Sequence, residues 1–186
     1  MPLLGLPCNG VTNRTCHAPN NFIQSTAGNF EMSERPDAQT DAICDREIVA
    51  TRVLDAPREF VFRAFSDPAH LVHWWGPKGF TNTFHEFDLR PGGAWRFIMH
   101  GPDGVDYPNE SVFVEVVKSE RIVFKHVSGH QFEMTITLAE QAGKTRIGWR
   151  MRFDSAAECE RVKSFVVEAN EQNLDRLETQ LARMLE

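Results

Sequence analysis

The last third of the chain carries one apolar stripe. Val162, Val166, Ala169, Asn173, Leu177, Leu181 and Met184 follow one another at spacings of three and four, the repeat of a single helix face. The stripe predicts one long helix from about Ser155 to Leu185, with Asn173 as its polar exception. A helix with one apolar face needs a broad apolar surface to cover it. That requirement limits the rest of the chain more than any other feature.

The residues before the helix supply such a surface. Phe132, Met134, Ile136 and Leu138 alternate with polar neighbours, and so do Ile147, Trp149, Met151 and Phe153, with Arg146, Arg150 and Arg152 taking the opposite face. Trp95, Phe97 and Met99 oppose Arg96 and His100 in the same way. Period-two alternation is the mark of a strand with one wet face. Arg90-Pro91-Gly92-Gly93 suits a type II turn, and Pro102-Asp103-Gly104, Ser128-Gly129 and Gln141-Ala142-Gly143 punctuate the later strands. Turns this short join neighbouring strands, so an antiparallel meander is expected from Thr81 to Phe153.

A further strand, Glu47–Leu54, precedes two short helices. Asp55-Ala56-Pro57 reads as the start of the first, with Asp55 capping and Phe60, Val61, Ala64 and Phe65 on one face. Asp67-Pro68 starts the second, which runs into His70-Leu71-Val72-His73-Trp74-Trp75-Gly76-Pro77. Gly76 and Pro77 end that helix. Trp74 and Trp75 point about 100° apart on a helix. Trp75 shares a face with Leu71 and is the candidate for a cavity mouth, whereas Trp74 would cover a flank. His70 and His73 have no carboxylate or cysteine at ligand spacing beside them, so no metal site is expected. The element order is α+β, with helices on one face of a curved antiparallel sheet.

Residues 1–44 lack a sustained period of either kind and are rich in Asn, Thr, Pro and Gly. They are expected to form a disordered tail ahead of a folded domain at 45–186. Met32 offers a second start for translation. Cys8, Cys16 and His17 do not have zinc spacing, and Cys8, Cys16, Cys44 and Cys159 form no disulfide framework; reduced thiols in the cytosol are expected. The net charge of −6 and the lack of clustered Lys and Arg exclude a nucleic-acid partner. No apolar run reaches the roughly 18 residues of a membrane span. The sequence is compatible with a monomer or a homodimer.

Asp67-Pro68 leading to Trp74-Trp75-Gly76-Pro77, then Phe87-Asp88-Leu89-Arg90-Pro91-Gly92-Gly93, then Gly101-Pro102-Asp103-Gly104, resembles the activator of heat-shock-protein-ninety ATPase homologue family of the START-like, or SRPBCC, superfamily. Glu120-Arg121-Ile122-Val123-Phe124 and Asn173-Leu174-Asp175-Arg176-Leu177 resemble it too. The likeness covers about residues 45–186. It implies a helix-grip fold, in which the sheet wraps the long C-terminal helix and leaves a cavity between them. The eukaryotic co-chaperone of this family has a separate N-terminal domain, for which 44 polar residues are too few, so ATPase activation is not expected here.

The inward strand faces would place Phe87, Trp95, Phe97, Met99, Ile122, Phe124, Met134, Ile136, Trp149 and Met151 on one concave wall, with Phe165, Val166 and Ala169 facing them from the helix. In an ordinary domain such residues form a filled core; the resemblance to a cavity-bearing superfamily raises the alternative of a ligand site. His85 and His126 fall in the phase of the inward residues Phe87 and Phe124, either as satisfied core histidines or as polar groups that orient a ligand. The ligand-binding candidates are therefore Trp75, Phe87, Trp95, Met99, Phe124, His126, Met134, Trp149 and Phe165. The leading expectation is a cavity for a small hydrophobic or aromatic molecule, without a cofactor. The alternatives are a cyclase- or hydrolase-like enzyme using His126 with Glu115, and a chaperone-interaction module of the stress response. No Ser-His-Asp order, P-loop or Gly-x-Gly-x-x-Gly pattern is present, and no nucleophile is identified.

Overall fold

A computed structural model describes residues 45–186. The expected tail, with Cys8, Cys16, His17 and Cys44, lies outside the described residues. Strand β1 spans Glu47–Leu54, and helices α1 (Arg58–Ser66) and α2 (Pro68–Trp74) follow. Six strands come next: β2 (Thr81–Phe87), β3 (Ala94–His100), β4 (Asp106–Val117), β5 (Arg121–His126), β6 (Phe132–Gln141) and β7 (Lys144–Phe153). Helix α3 covers Ala156–Leu185. All seven strands form one antiparallel sheet in the order β1-β7-β6-β5-β4-β3-β2. β2 to β7 are the expected meander, and β1 closes onto β7 at the far edge. This is the helix-grip architecture that the family resemblance implied.

Local chemistry explains most boundaries. Asp67 accepts the N–H of Ala69 at 2.9 Å and Pro68 opens α2, the expected cap and first turn. Ser155 caps α3 by accepting the N–H of Glu158 at 3.2 Å. The turn before β3 closes through a bond of 2.8 Å from the Gly93 N–H to the Arg90 carbonyl. Gly93 is required there, because a Cβ would lie 2.0 Å from the Asp88 carbonyl oxygen.

Three expectations are corrected. Asp55 does not cap α1; Pro57 is its N-cap residue, and Asp55 lies 3.3 Å from the Lys144 ammonium. The buried face of α1 is Val61, Phe62, Ala64 and Phe65, while Phe60 is half-buried under the Arg63 guanidinium. His85 does not face inward. A register shift between Phe84 and Glu86 turns both Phe84 and Phe87 to the inner face, their rings stacked at 6.2 Å, and leaves His85 exposed. A β-bulge inserts one residue and so reverses the phase of everything before it.

Helix α3 lies on the inner face, against β1 and β7 and beside α1 and α2. Leu174 and Leu177 are fully buried, and Val162, Asn173 and Leu181 are also buried. The cover is uneven. Cys159 and Val162 anchor one end and Asn170 to Leu181 the other, but no residue from Lys163 to Ala169 is buried. Val166 sits on the stripe and is only half-buried.

Candidate functional site

The end of α2 explains the paired tryptophans. Gly76 leaves the helix at φ +102, a left-handed conformation that side chains disfavour. Its N–H donates to Asn173 Oδ1 at 2.6 Å. Arg176, one turn further along α3, donates to the carbonyls of Gly76, Pro77 and His73 at 2.7, 2.8 and 2.9 Å. Asn82 Nδ2 donates to the Trp75 carbonyl at 2.7 Å. The orphan carbonyls of a helix end are thereby paired. Burial lowers the Arg176 pKa, and three carbonyls offset the cost of holding that charge.

This lock fixes both indoles. Trp74 is not a flank cover: it is only 1% exposed, donates from Nε1 to the Ala64 carbonyl at 3.0 Å and meets Phe65 edge-on at 4.8 Å. It ties α2 to α1. Trp75, 8% exposed, lies among Trp95 at 4.9 Å, Trp149 at 5.5 Å, Trp74 at 5.6 Å and Phe124 at 6.1 Å. Aromatic pairs at these separations contribute about 0.5–1.5 kcal/mol each beyond area burial.

The structure brings most of the expected site residues together. Trp75, Phe87, Trp95 and Phe124 surround one void with Phe65, Leu71, Leu89, Phe113, Ile122 and Ile136. Met134 pairs with Phe124 across β5 and β6, and Met99 is half-buried against Gly76. The void measures about 10 Å³, close to the room one water needs, so aromatic rings fill the interior. Phe165 stands apart from this group, 44% exposed on the thinly packed segment of α3. Four buried side-chain polar atoms have no hydrogen-bond partner among the described residues: Asn82 Oδ1, Trp95 Nε1, Trp149 Nε1 and Ser111 Oγ.

His126 is on the inner face, 7% exposed and stacked on Phe132 at 4.9 Å. Its Nδ1 lies 3.1 Å from the His130 carbonyl; a carbonyl only accepts, so Nδ1 carries the ring proton. Nε2 lies 3.0 Å from Asn109 Oδ1 and 3.4 Å from Ser128 Oγ. Burial pushes the His126 pKa below its ordinary value. The expected pairing with Glu115 is not present. A second bulge, between Phe113 and Glu115, turns Glu115 to the outer face, where it bonds Arg121 at 2.7 Å.

The outer face of the sheet is charged and internally paired. Arg96 bonds Glu86 and Glu110, Arg150 lies near Glu47, and Arg152 near Glu133. On that face His100 bridges Thr83 Oγ1 at 2.9 Å and Asp106 at 2.6 Å, away from the aromatic interior. Among the described residues, no three His, Cys, Asp or Glu side chains gather as metal ligands, and no helix is long and apolar enough to cross a membrane.

An aromatic-lined sheet gripping a long C-terminal helix defines a START-like domain. The chain belongs to the family described as Activator of Hsp90 ATPase homolog 1-like protein, whose profile matches residues 55–182. Solved structures share the fold. A Chromobacterium violaceum protein is 29% identical, with a TM-score of 0.64 over 72% of this chain and 95% of its own. A Nitrosomonas europaea protein is 21% identical, with a TM-score of 0.69 over 75% and 96%. An Arthrobacter aurescens protein is 20% identical, with a TM-score of 0.70 over 75% and 87%. No curated protein matches the chain.

Proposed function

We propose that the chain binds a small, flat, largely apolar molecule that carries an acceptor oxygen, in the aromatic interior around Trp75. The observation that carries this reading is a pair of buried indole donors. Trp95 and Trp149 flank Trp75 on two sides, and neither Nε1–H has an acceptor among the described residues. A buried donor without a partner costs about 1–3 kcal/mol. A carbonyl or hydroxyl oxygen of a ligand would remove that cost, and the surrounding rings would stack on its body. Trp74, by contrast, is already satisfied by the Ala64 carbonyl.

A void of about 10 Å³ does not hold a bicyclic ring, so binding displaces side chains. Met99, Met134 and Met151 are unbranched thioethers on the inner face, the side-chain type that repacks at least cost. The thin cover of α3 at Val166 supplies the place where the grip loosens. Calorimetric titration with 2-acetylnaphthalene tests the reading. Saturable binding that weakens in Trp75→Ala is expected; no heat of binding at millimolar ligand would refute it.

A further inference from the structure

Apart from Tyr107, whose hydroxyl donates to Asp103 at 3.0 Å, the buried inner face of the sheet is apolar from β3 to β7 except at two places. One is Thr145, whose hydroxyl is satisfied by the Ala56 carbonyl at 2.7 Å. The other is a cluster on β4 and β5. Ser111 sits opposite His126 in the β4–β5 register, and Asn109 reaches the same imidazole at 3.0 Å. The adjacent pair in that register, Phe113 and Phe124, lines the aromatic void. Two residues of strand separate the pairs, about 7 Å, the length of a fused aromatic ring system rather than of a chain.

Three polar atoms of this cluster are poorly served by the protein. Ser111 is 1% exposed, and its Oγ has no partner. His126 Nδ1 gives its proton to the His130 carbonyl, so Nε2 of the neutral ring is an acceptor. Its nearest neighbour, Asn109 Oδ1, is also an acceptor, because Asn109 Nδ2 is committed to the Tyr107 carbonyl at 2.7 Å. Ser128 Oγ, the remaining neighbour, accepts the Glu110 N–H and keeps its own O–H, but at 3.4 Å it reaches Nε2 only weakly. Among the described residues two acceptors therefore face each other with no donor close between them, beside a hydroxyl that can donate or accept a hydrogen bond.

We propose that Ser111, His126 and Asn109 form a subsite for a hydroxyl group, and that the ligand of the aromatic interior is a hydroxylated aromatic. The inference rests on the binding reading above and narrows it to a ligand class. The ligand hydroxyl donates to His126 Nε2 or Asn109 Oδ1 and accepts from Ser111 Oγ. Among the described residues no cation stands in the subsite: Arg176 is committed to α2 carbonyls and Arg52 to Glu171 and Asp175 of α3. A neutral phenol therefore fits better than a carboxylate, which would be buried without a counter-charge.

Equilibrium dialysis of the full chain against naphthalene and 2-naphthol tests this. Transfer from water alone favours naphthalene, so a preference for 2-naphthol reads the polar contacts. Wild type is expected to bind 2-naphthol about tenfold more tightly. Ser111→Ala, a near-isosteric change, should cut that ratio several-fold, and His126→Phe should do the same if it folds. A Ser111→Ala variant that keeps the preference would overturn the subsite but leave the binding reading standing, because the indole donors would then account for it; equal affinities in wild type would overturn the subsite and the indole reading together. Failure of wild type to bind either compound would overturn both.

Discussion

The backbone N–H of Gly76 donates to the side-chain oxygen of Asn173 at 2.6 Å, across 97 residues of sequence. One polar side chain on an otherwise apolar helix stripe thus holds the end of a helix made much earlier in the chain. Arg176 completes the clamp through three carbonyls. The clamp sets where Trp75 stands, and so connects α3 to the aromatic interior.

Asn173→Ala should destabilise the fold by about 1–3 kcal/mol, because it leaves the buried Gly76 N–H without an acceptor. Denaturant unfolding measures this directly. A loss under about 0.5 kcal/mol would mean that the bond is not made in solution.

Along α3 the cost of truncation should follow the uneven cover. Leu177→Ala, fully buried, should cost about 2–5 kcal/mol. Phe165→Ala should lie within about 0.5 kcal/mol of wild type, as exposed substitutions do. Equal losses at the two positions would show that residues 163–169 pack more tightly than described.

His126 should make stability depend on pH. Burial holds its folded pKa below the ordinary 6.5, so the unfolded chain binds the proton more readily than the folded one. The contribution is complete above about pH 6.5 and is lost as pH falls from there toward the folded pKa. Glu158, which bonds Arg161 and His130, has a lowered pKa of its own and acts only in the lower carboxylate range. Melts of wild type and His126→Gln between pH 7.5 and 5 should show a decline below pH 6.5 in wild type that the variant loses. Parallel curves would assign the decline to other groups.

Much of this architecture was legible because its signals are local. The Asp67 cap, the Gly76-Pro77 stop, the Arg90–Gly93 turn and the alternation of β6 and β7 are each decided within a few residues. Both bulges escaped the sequence reading. Whether Phe84 and Phe87 share a face depends on what packs beneath them, and a one-residue slip then misplaced His85; the same error moved Glu115. Phe165 reads as inward because helical spacing tolerates a wide stripe, yet its flank has nothing to cover it. Asn109 and Ser111 were missed because Pro108 and polar neighbours weaken the strand signal there, and their inward phase emerges only from the pairing with His126. Asn173 was visible as an exception, but its partner lies too far away in sequence to be inferred.

Trp75→Ala should weaken ligand binding by about tenfold through loss of one aromatic wall, with the three other tryptophans retained. Trp74→Ala should instead act on stability, because its ring and its bond to Ala64 join α1 to α2. A Trp75→Ala variant that binds 2-acetylnaphthalene as well as wild type does would move the site elsewhere.

The central claim is that a ligand oxygen completes the indole donors beside Trp75. The indole N–H resonances of the four tryptophans, assigned by single Trp→Phe variants and followed by heteronuclear NMR during titration with 2-acetylnaphthalene, test it most directly. The Trp95 and Trp149 signals should move strongly and saturate together, while that of Trp74, already bonded to Ala64, should stay nearly fixed. If the Trp95 and Trp149 signals remain in place at saturating ligand, no ligand opens the filled interior to those donors and the account is wrong.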